Sequence, residues 1–457
     1  MPLVPITDAM YLWGESGTGP SHVVALQIFQ TPDDAEPALL DELYDRMTDV
    51  TQLKPAFRRR PHRSVWTAGQ FEWAQDDHVD LTLHVRRRGL PRPGRIRELL
   101  EYVSDFHQTP LPRDRPLWEA RLVEGLDDGR FALLTKMHHS LFDGVNMGRH
   151  LLGGLSADPS ARACTAPWIT TDAETPRPTR RSIGPTQLIT DTISAAGRIT
   201  RSAPALASAG ADMFGPARET PAPFSAPPSM FNVRVSAARR FAGDAWSKQR
   251  LRDVAERTGT TSNDVAVAMC SGALRTYLVE QQALPDRSLV AMVPIAFDPY
   301  SRSAGEGNAW AAVLCDLATD EPDPGARLDR IHASTSRSKT MMSRLDQVSA
   351  TAVSALAMGG AILNVLPGVP DPVRPPFNLI ISSVPAVPER LYLDGCELTD
   401  NYPVSVVVDG QALNITMVSY AAEIAFGISG CRRSVPHLQR LLVHLDDALS
   451  ALESVPA

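Results

Sequence analysis

Residues 135–144 read TKMHHSLFDG, with two histidines side by side and an Asp-Gly following. An imidazole titrates near neutrality, so His138 or His139 suits general-base work on a hydroxyl; imidazole is also a common metal ligand. Geometry argues against metal. On a strand, adjacent side chains point to opposite faces, and no Cys or further His stands nearby at ligand spacing, so the two rings cannot easily converge on one ion. The base reading needs only one ring at the strand end facing a cleft while its neighbour faces the sheet. Asp143, in a tight turn ahead of Gly144, is suited to fixing the loop through backbone bonds or an Arg pair and need not touch a histidine. Strand-end histidine pairs are more often structural than catalytic, so position alone leaves both readings open.

The elements that must hold this pair can be read around it. RFALLTKM (130–137) is a β-rich run leading into the histidines, and LWEARLV (117–123) is its hairpin partner across EGLDDG, which carries an Asp-Gly turn signal. DGVNMGRHLL then reads as a turn into a helix. Upstream, HVVALQIF (22–29) alternates as a strand, and 38–50 and 95–111 carry the helical period. From 156 to 230 the composition shifts to Pro, Ala, Ser, Thr and Arg, which predicts a linker with a loose helix inside it. Beyond it, 260–281 is a helix that Ser262 or Asn263 can cap. Runs at 288–297, 311–317, 377–385 and 423–429 are strands, and 403–420 is a strand pair around an Asp409-Gly410 hairpin turn. Strands and helices mix in both halves with no repeat period. That order predicts two α/β domains with mixed sheets, 1–155 and 231–457.

Composition narrows the function. The 457 residues are 43% hydrophobic and 21% charged, an ordinary globular balance, and a net charge of −7 gives no basic field for nucleic acid. The N-terminus has no basic segment followed by an apolar core, and the five cysteines have no paired spacing. Reduced, buried thiols in a cytoplasmic protein are the expectation. The stretch 347–369 carries no charge but is diluted by Ser, Thr, Gly and Asn, so a buried or interfacial helix fits better than a bilayer span. Peripheral contact with the inner membrane or a lipid droplet follows as a hypothesis.

HHSLFDG matches the HHxxxDG signature of the CoA-dependent acyltransferases, and the surrounding chain resembles the bacterial wax ester synthase/diacylglycerol acyltransferase family. The resemblance runs through the N-terminal PITDAMYLWGESGTGPSHVVALQIF, the Pro-Leu-Trp block at Pro116, Leu117 and Trp118, and the Asn-Asp helix motif at Asn263 and Asp264. It continues through Gly307-Asn308, LYLDG at 391–395 and LNITMVSY at 413–420, and covers nearly the whole chain apart from the linker. It implies two chloramphenicol-acetyltransferase-like domains with a tunnel between them, an apolar bore that gains about 0.8 kcal/mol per buried methylene of an acyl chain. It also implies that His139 is the base, with His138, Asp143 and Gly144 organising the site. Acyl-CoA would be the co-substrate, diacylglycerol or a long-chain alcohol the acceptor, and no cofactor or metal would be needed. The alternatives are an acyltransferase acting on a polyketide or glycolipid alcohol, or a weakly active paralogue that binds lipid or CoA.

Several residues keep two readings. Leu117 and Trp118 suit core packing better than substrate contact, and Asn263 and Asp264 serve equally as helix caps or as site support. The basic runs at 57–63 and 84–97 are solvated faces unless they meet CoA phosphates or anionic lipid. Ser383 stands where the family has Asn in a block near the tunnel and is the candidate oxyanion donor. Ala386 replaces the usual Gly, and Asp298 an Arg, changes that bear on efficiency and acceptor choice.

Overall fold

The computed structural model describes residues 3–48, 53–63, 69–142, 144–162, 166–170, 221–222, 224–296, 310–345, 350, 353–354, 375–384 and 387–456. The N-terminal half contains α1 (Ile6–Gly14), β1 (His22–Gln30), α2 (Leu39–Thr48), β2 (Arg59–Arg63), β3 (Phe71–Gln75), α3 (Leu81–His84), β4 (Val85–Gly89), α4 (Ile96–Gln108), β5 (Trp118–Glu124), β6 (Phe131–His138) and α5 (Gly144–Leu152). The C-terminal half contributes β7 (Arg239–Ser247), β8 (Val290–Ala296), β9 (Trp310–Asp316), β10 (Leu379–Val384), β11 (Tyr392–Leu393), β12 (Cys396–Val404), β13 (Leu413–Tyr420) and β14 (Glu423–Cys431). Its principal helices are Lys248–Thr258, Ser262–Glu280, Pro324–Ser343 and Arg440–Glu453.

Two six-stranded mixed sheets result, in the orders β11-β12-β1-β6-β5-β4 and β7-β14-β13-β10-β8-β9. Strand periodicity explains the first sheet's cores. Phe131, Leu133 and Met137 of β6 point to one face with Phe57, Trp118 and Trp168. Ala132 and Leu134 point to the other, against Leu99, Val103 and Phe106 of α4. In the second sheet the helix Ser262–Glu280 is buried along most of its length in that half's core.

The two sheets do not follow the two halves of the sequence. After β10 the chain crosses over, and β12 pairs antiparallel with β1, from Val24↔Val404 to Gln30↔Glu397. The chain then returns to the second sheet at β13. The strand pair expected at 403–420 is therefore corrected. Gly410 does sit in a turn at φ 81°, but the strands on either side of it belong to different sheets. Where β12 lies on the second sheet, two registered glycines, Gly243 of β7 and Gly427 of β14, make room for it. A Cβ on Gly427 would stand 1.9 Å from the Pro403 carbonyl oxygen, and one on Gly243 would stand 3.0 Å from the Tyr402 ring.

Other expectations shift at their edges. The helix after Gly259 is capped by Thr261, whose side chain accepts from the Asp264 amide, and Ser262 is already helical. The Pro/Ala-rich stretch does not begin as a free linker. Ser156 bridges Tyr392, and Trp168 is fully buried with its indole N–H on the Met47 carbonyl. Apolar contact outweighs composition there, because an indole gains more from the core than proline-rich neighbours cost. The expected loose helix at 184–214 and most of 347–369 lie outside the described residues. Among those described, no helix is long and apolar enough to cross a membrane. Cys270, Cys315, Cys396 and Cys431 are free and buried.

Trp118 is the centre of the N-terminal core. It stacks on Trp168 and His84, meets Phe57 edge-on, and donates its indole N–H to the Phe57 carbonyl at 2.8 Å. Trp118→Ala will cost about 3–5 kcal/mol, read as a lower denaturation midpoint of the purified protein.

Candidate active site

The histidine pair ends β6, and backbone bonds pin it from both sides. The His138 amide donates to the Leu117 carbonyl at 3.0 Å, and the His139 amide donates to the Ser21 carbonyl at 2.9 Å. The Pro-Leu-Trp block thus acts through main-chain register, with the Leu117 side chain packed against Leu12, Phe71 and Leu111. Leu117 and Trp118 are both packed in the core, and the Pro116 carbonyl accepts from the Trp118 amide.

His138 is enclosed. The hydroxyl and amide of Ser140 both donate to its Nδ1, at 2.7 and 3.2 Å, which leaves the ring hydrogen on Nε2, 3.6 Å from Glu15 Oε1. Burial pushes the Glu15 carboxyl up, but contact with His138, the Arg113 guanidinium and the Ser21 amide more than offset it, holding its pKa at about 2. Glu15 is therefore ionised and orients His138. His22, opposite His138 across β1 and β6, binds the His107 carbonyl, and burial holds it neutral. Lys136, on the same face as His138, is fully buried. It donates to the Phe106 and Thr109 carbonyls at 3.1 and 2.9 Å, tying the end of α4 to β6.

His139 differs in each respect. It lies in the turn after β6, is partly exposed, and stacks on the Tyr11 ring with centroids 4.2 Å apart. Its Nδ1 is enclosed with no hydrogen-bond partner among the described residues. Burial lowers its pKa to about 4, partly offset by a backbone hydrogen bond and reinforced by the His138 charge, so the ring is neutral at physiological pH. A neutral imidazole with one wall open can accept a proton and pass it on.

Asp143 and Asn308 lie outside the described residues, as do Asp298 and Ala386. Gly144 opens α5, and this helix meets the second sheet, where a Cβ on Gly148 would stand 3.9 Å from Val384. Ser383, the residue before Val384, is exposed at the end of β10. The Asn-Asp motif is not brought to the histidines by any described bond. Asp264 completes the cap with Thr261 and accepts from Thr335 at 2.6 Å and from His332 at 2.8 Å. Its oxygens hold two helices together, which is the cap role the sequence also allowed. Of the ten arginines in the basic runs, Arg58 pairs with Asp77, Arg87 with Glu124 and Asp41, Arg95 with Glu98 and Arg97 with Glu101. A cleft of about 230 Å³ opens between α4 and β4–β5 with Lys136 and Arg121 in its wall. Neither it nor a small cleft beside Tyr402 is lined by His139.

Sequence reasoning missed Tyr11, Glu15, Ser21 and Lys136. One signal was present: Lys136 and His138, two apart on an otherwise apolar strand, share a face with the apolar Leu134, which points to a buried polar network behind the site.

Comparison with known proteins places the chain in a family. Residues 5–266 match the wax ester synthase/diacylglycerol acyltransferase catalytic domain, and residues 306–453 match the family's C-terminal domain. A Mycobacterium tuberculosis protein named "Probable diacyglycerol O-acyltransferase tgs2" is 44% identical over 455 residues, covering 99% of both chains. The O-acyltransferase WSD of Acinetobacter baylyi is 36% identical, covering 100% of this chain and 98% of its own. The solved wax ester synthase/diacylglycerol acyltransferase of Marinobacter aquaeolei superposes with a TM-score of 0.77 at 35% identity, covering 99% of both chains. The starter condensation domain of rhizomide synthetase shares the fold at 14% identity and a TM-score of 0.57. A two-sheet α/β frame with HHxxxDG at the end of its central strand, matched over almost its full length by these relatives, makes the chain an O-acyltransferase, a member of the wax ester synthase/diacylglycerol acyltransferase family.

Proposed function

We propose that the protein esterifies diacylglycerol to triacylglycerol with acyl-CoA, and joins long-chain alcohols to acyl groups as wax esters, with His139 as the base. The observation that carries this reading is the contrast within the pair: His138 is enclosed and bonded, while His139 is neutral, partly open and, among the described residues, lacks a bond at Nδ1. Nε2 of His139 takes the acceptor hydroxyl's proton. The oxygen forms a bond to the thioester carbonyl carbon, and the carbon–sulfur bond breaks as the tetrahedral intermediate collapses. The departing CoA thiolate takes the proton back from His139. No covalent acyl-enzyme is needed. Acceptor and acyl chains would meet in the tunnel between the sheets, with Ser383 at the end of β10 as the oxyanion donor. The acceptor is water-insoluble, so the enzyme works at a lipid surface.

Purified protein with palmitoyl-CoA should release CoA only when dioleoylglycerol or hexadecanol is added, with the ester as product. CoA release with neither acceptor would sink the reading. Flotation with lipid vesicles reads the surface contact, and protein left at the bottom of the gradient would exclude it. The pH profile is a further check. The working form of His139 is unprotonated and its pKa is lowered to about 4, so kcat/KM should hold level as pH falls through the ordinary histidine range. The acid limb should appear only as pH approaches about 4. A limb centred near the free-imidazole value of about 6.5 would contradict the site geometry.

A further inference from the structure

Helix α1 lays Tyr11 face to face on His139, with the ring planes 10° from parallel. Core filling does not account for this. Ala9 and Leu12 of the same helix are buried in the cluster with Phe71 and Leu117, while Tyr11 is partly exposed and turned toward the histidine. Nδ1 has no hydrogen-bond partner among the described residues, so at this inner edge the contact that holds the ring plane is the aromatic face stacked on it.

We infer that Tyr11 is a positioning residue for acyl transfer, its π face fixing the plane of His139 and stabilising the imidazolium that forms as the acceptor hydroxyl loses its proton. The inference rests on His139 being the base. Stacking already holds a neutral imidazole against an aromatic face, and a cation is drawn more strongly because the ring's negative face attracts its charge. The contact is thus stronger in the transition state than in the ground state, the condition for raising kcat and leaving KM alone. The groups that face His139 do not duplicate this role. His138 adds a like charge when protonated, and Glu15 lies against His138 Nε2. Asp143 lies outside the described residues.

The test uses the full-length protein with palmitoyl-CoA and dioleoylglycerol, comparing Tyr11→Phe, Tyr11→Leu, Tyr11→Met and His139→Ala. The two variants without an aromatic ring should lose about tenfold or more in kcat, with KM for palmitoyl-CoA and the thermal midpoint little changed. Tyr11→Phe keeps the π face and should stay within about twofold of wild type. Wild-type turnover in Tyr11→Leu and Tyr11→Met would overturn the inference. So would a loss in Tyr11→Phe equal to theirs, which would assign the effect to the hydroxyl, or a loss confined to KM. His139→Ala separates the two levels: activity in that variant defeats the base itself, whereas its inactivity beside a fully active Tyr11→Leu defeats only the role of Tyr11.

Discussion

Replacing His139 by alanine will lower acceptor-dependent CoA release by about 10²–10⁴-fold while the protein remains folded. The separation of rate from stability follows from the surroundings. His139 is partly exposed and makes no side-chain hydrogen bond at Nδ1, so its loss removes a stack with Tyr11 and an unpartnered nitrogen. His138→Ala should behave in the opposite way. It strips Ser140 of its acceptor and leaves Glu15, anionic and nearly buried, with Arg113 and the Ser21 amide alone. An unsatisfied buried partner costs about 1–3 kcal/mol, so the His138 variant should melt earlier as well as turn over slowly. CoA release by thiol titration and thermal melting on the same preparations distinguish the two. Full activity in His139→Ala would end the assignment of the base, and equal melting losses in both variants would refute the division of roles.

Gly427→Ala is expected to be the most damaging single-methyl change in the second sheet. The added Cβ would fall 1.9 Å from the Pro403 carbonyl oxygen and 2.9 Å from its carbon. These are backbone atoms of β12, itself tied to β1 by a ladder of pairs, so no side chain can swing aside. Overpacking a flexible site costs about 1–3 kcal/mol, and a rigid one should exceed that range. Soluble yield and melting temperature should both fall. Gly259→Ala, whose Cβ meets nothing within 4 Å but whose φ is +66°, serves as the comparison: it should show only the modest strain of a left-handed helix cap. Equal stability of the two variants would show that β12 can retreat from the second sheet.

The parts of the fold written in local pattern were readable. The β5–β6 hairpin announces itself by two β-rich runs and an Asp-Gly turn, and the helix Ser262–Glu280 by its polar start and long apolar body. Even its true cap was in view, since Thr261 and Asp264 have capping-box spacing; the family resemblance drew Asp264 toward the substrate instead. What escaped was non-local. Nothing in CELTDNYPV says that it pairs with HVVALQIFQ rather than with the strand next to it in sequence, because register is fixed by two distant apolar faces meeting. The histidine pair was legible by motif, but its support was not. Glu15 looks like a surface acid until the fold sets it against His138, and Tyr11 like a core aromatic until α1 sets it on His139. Trp168 was hidden by its proline-rich company.

The exchange of β12 into the first sheet has a consequence for biosynthesis. β1 leaves the ribosome early, with eight of its nine side chains destined for burial, yet the strand that seals its outer rail is translated only after residue 395. At about 5–20 residues per second the nascent chain carries that open edge for about 20–70 s. Bare apolar strand edges recruit one another. Truncated transcripts or slow codons upstream of β12 should therefore yield inclusion bodies rather than a folded half-enzyme, and supplying the two halves as separate polypeptides should succeed only when both are made together.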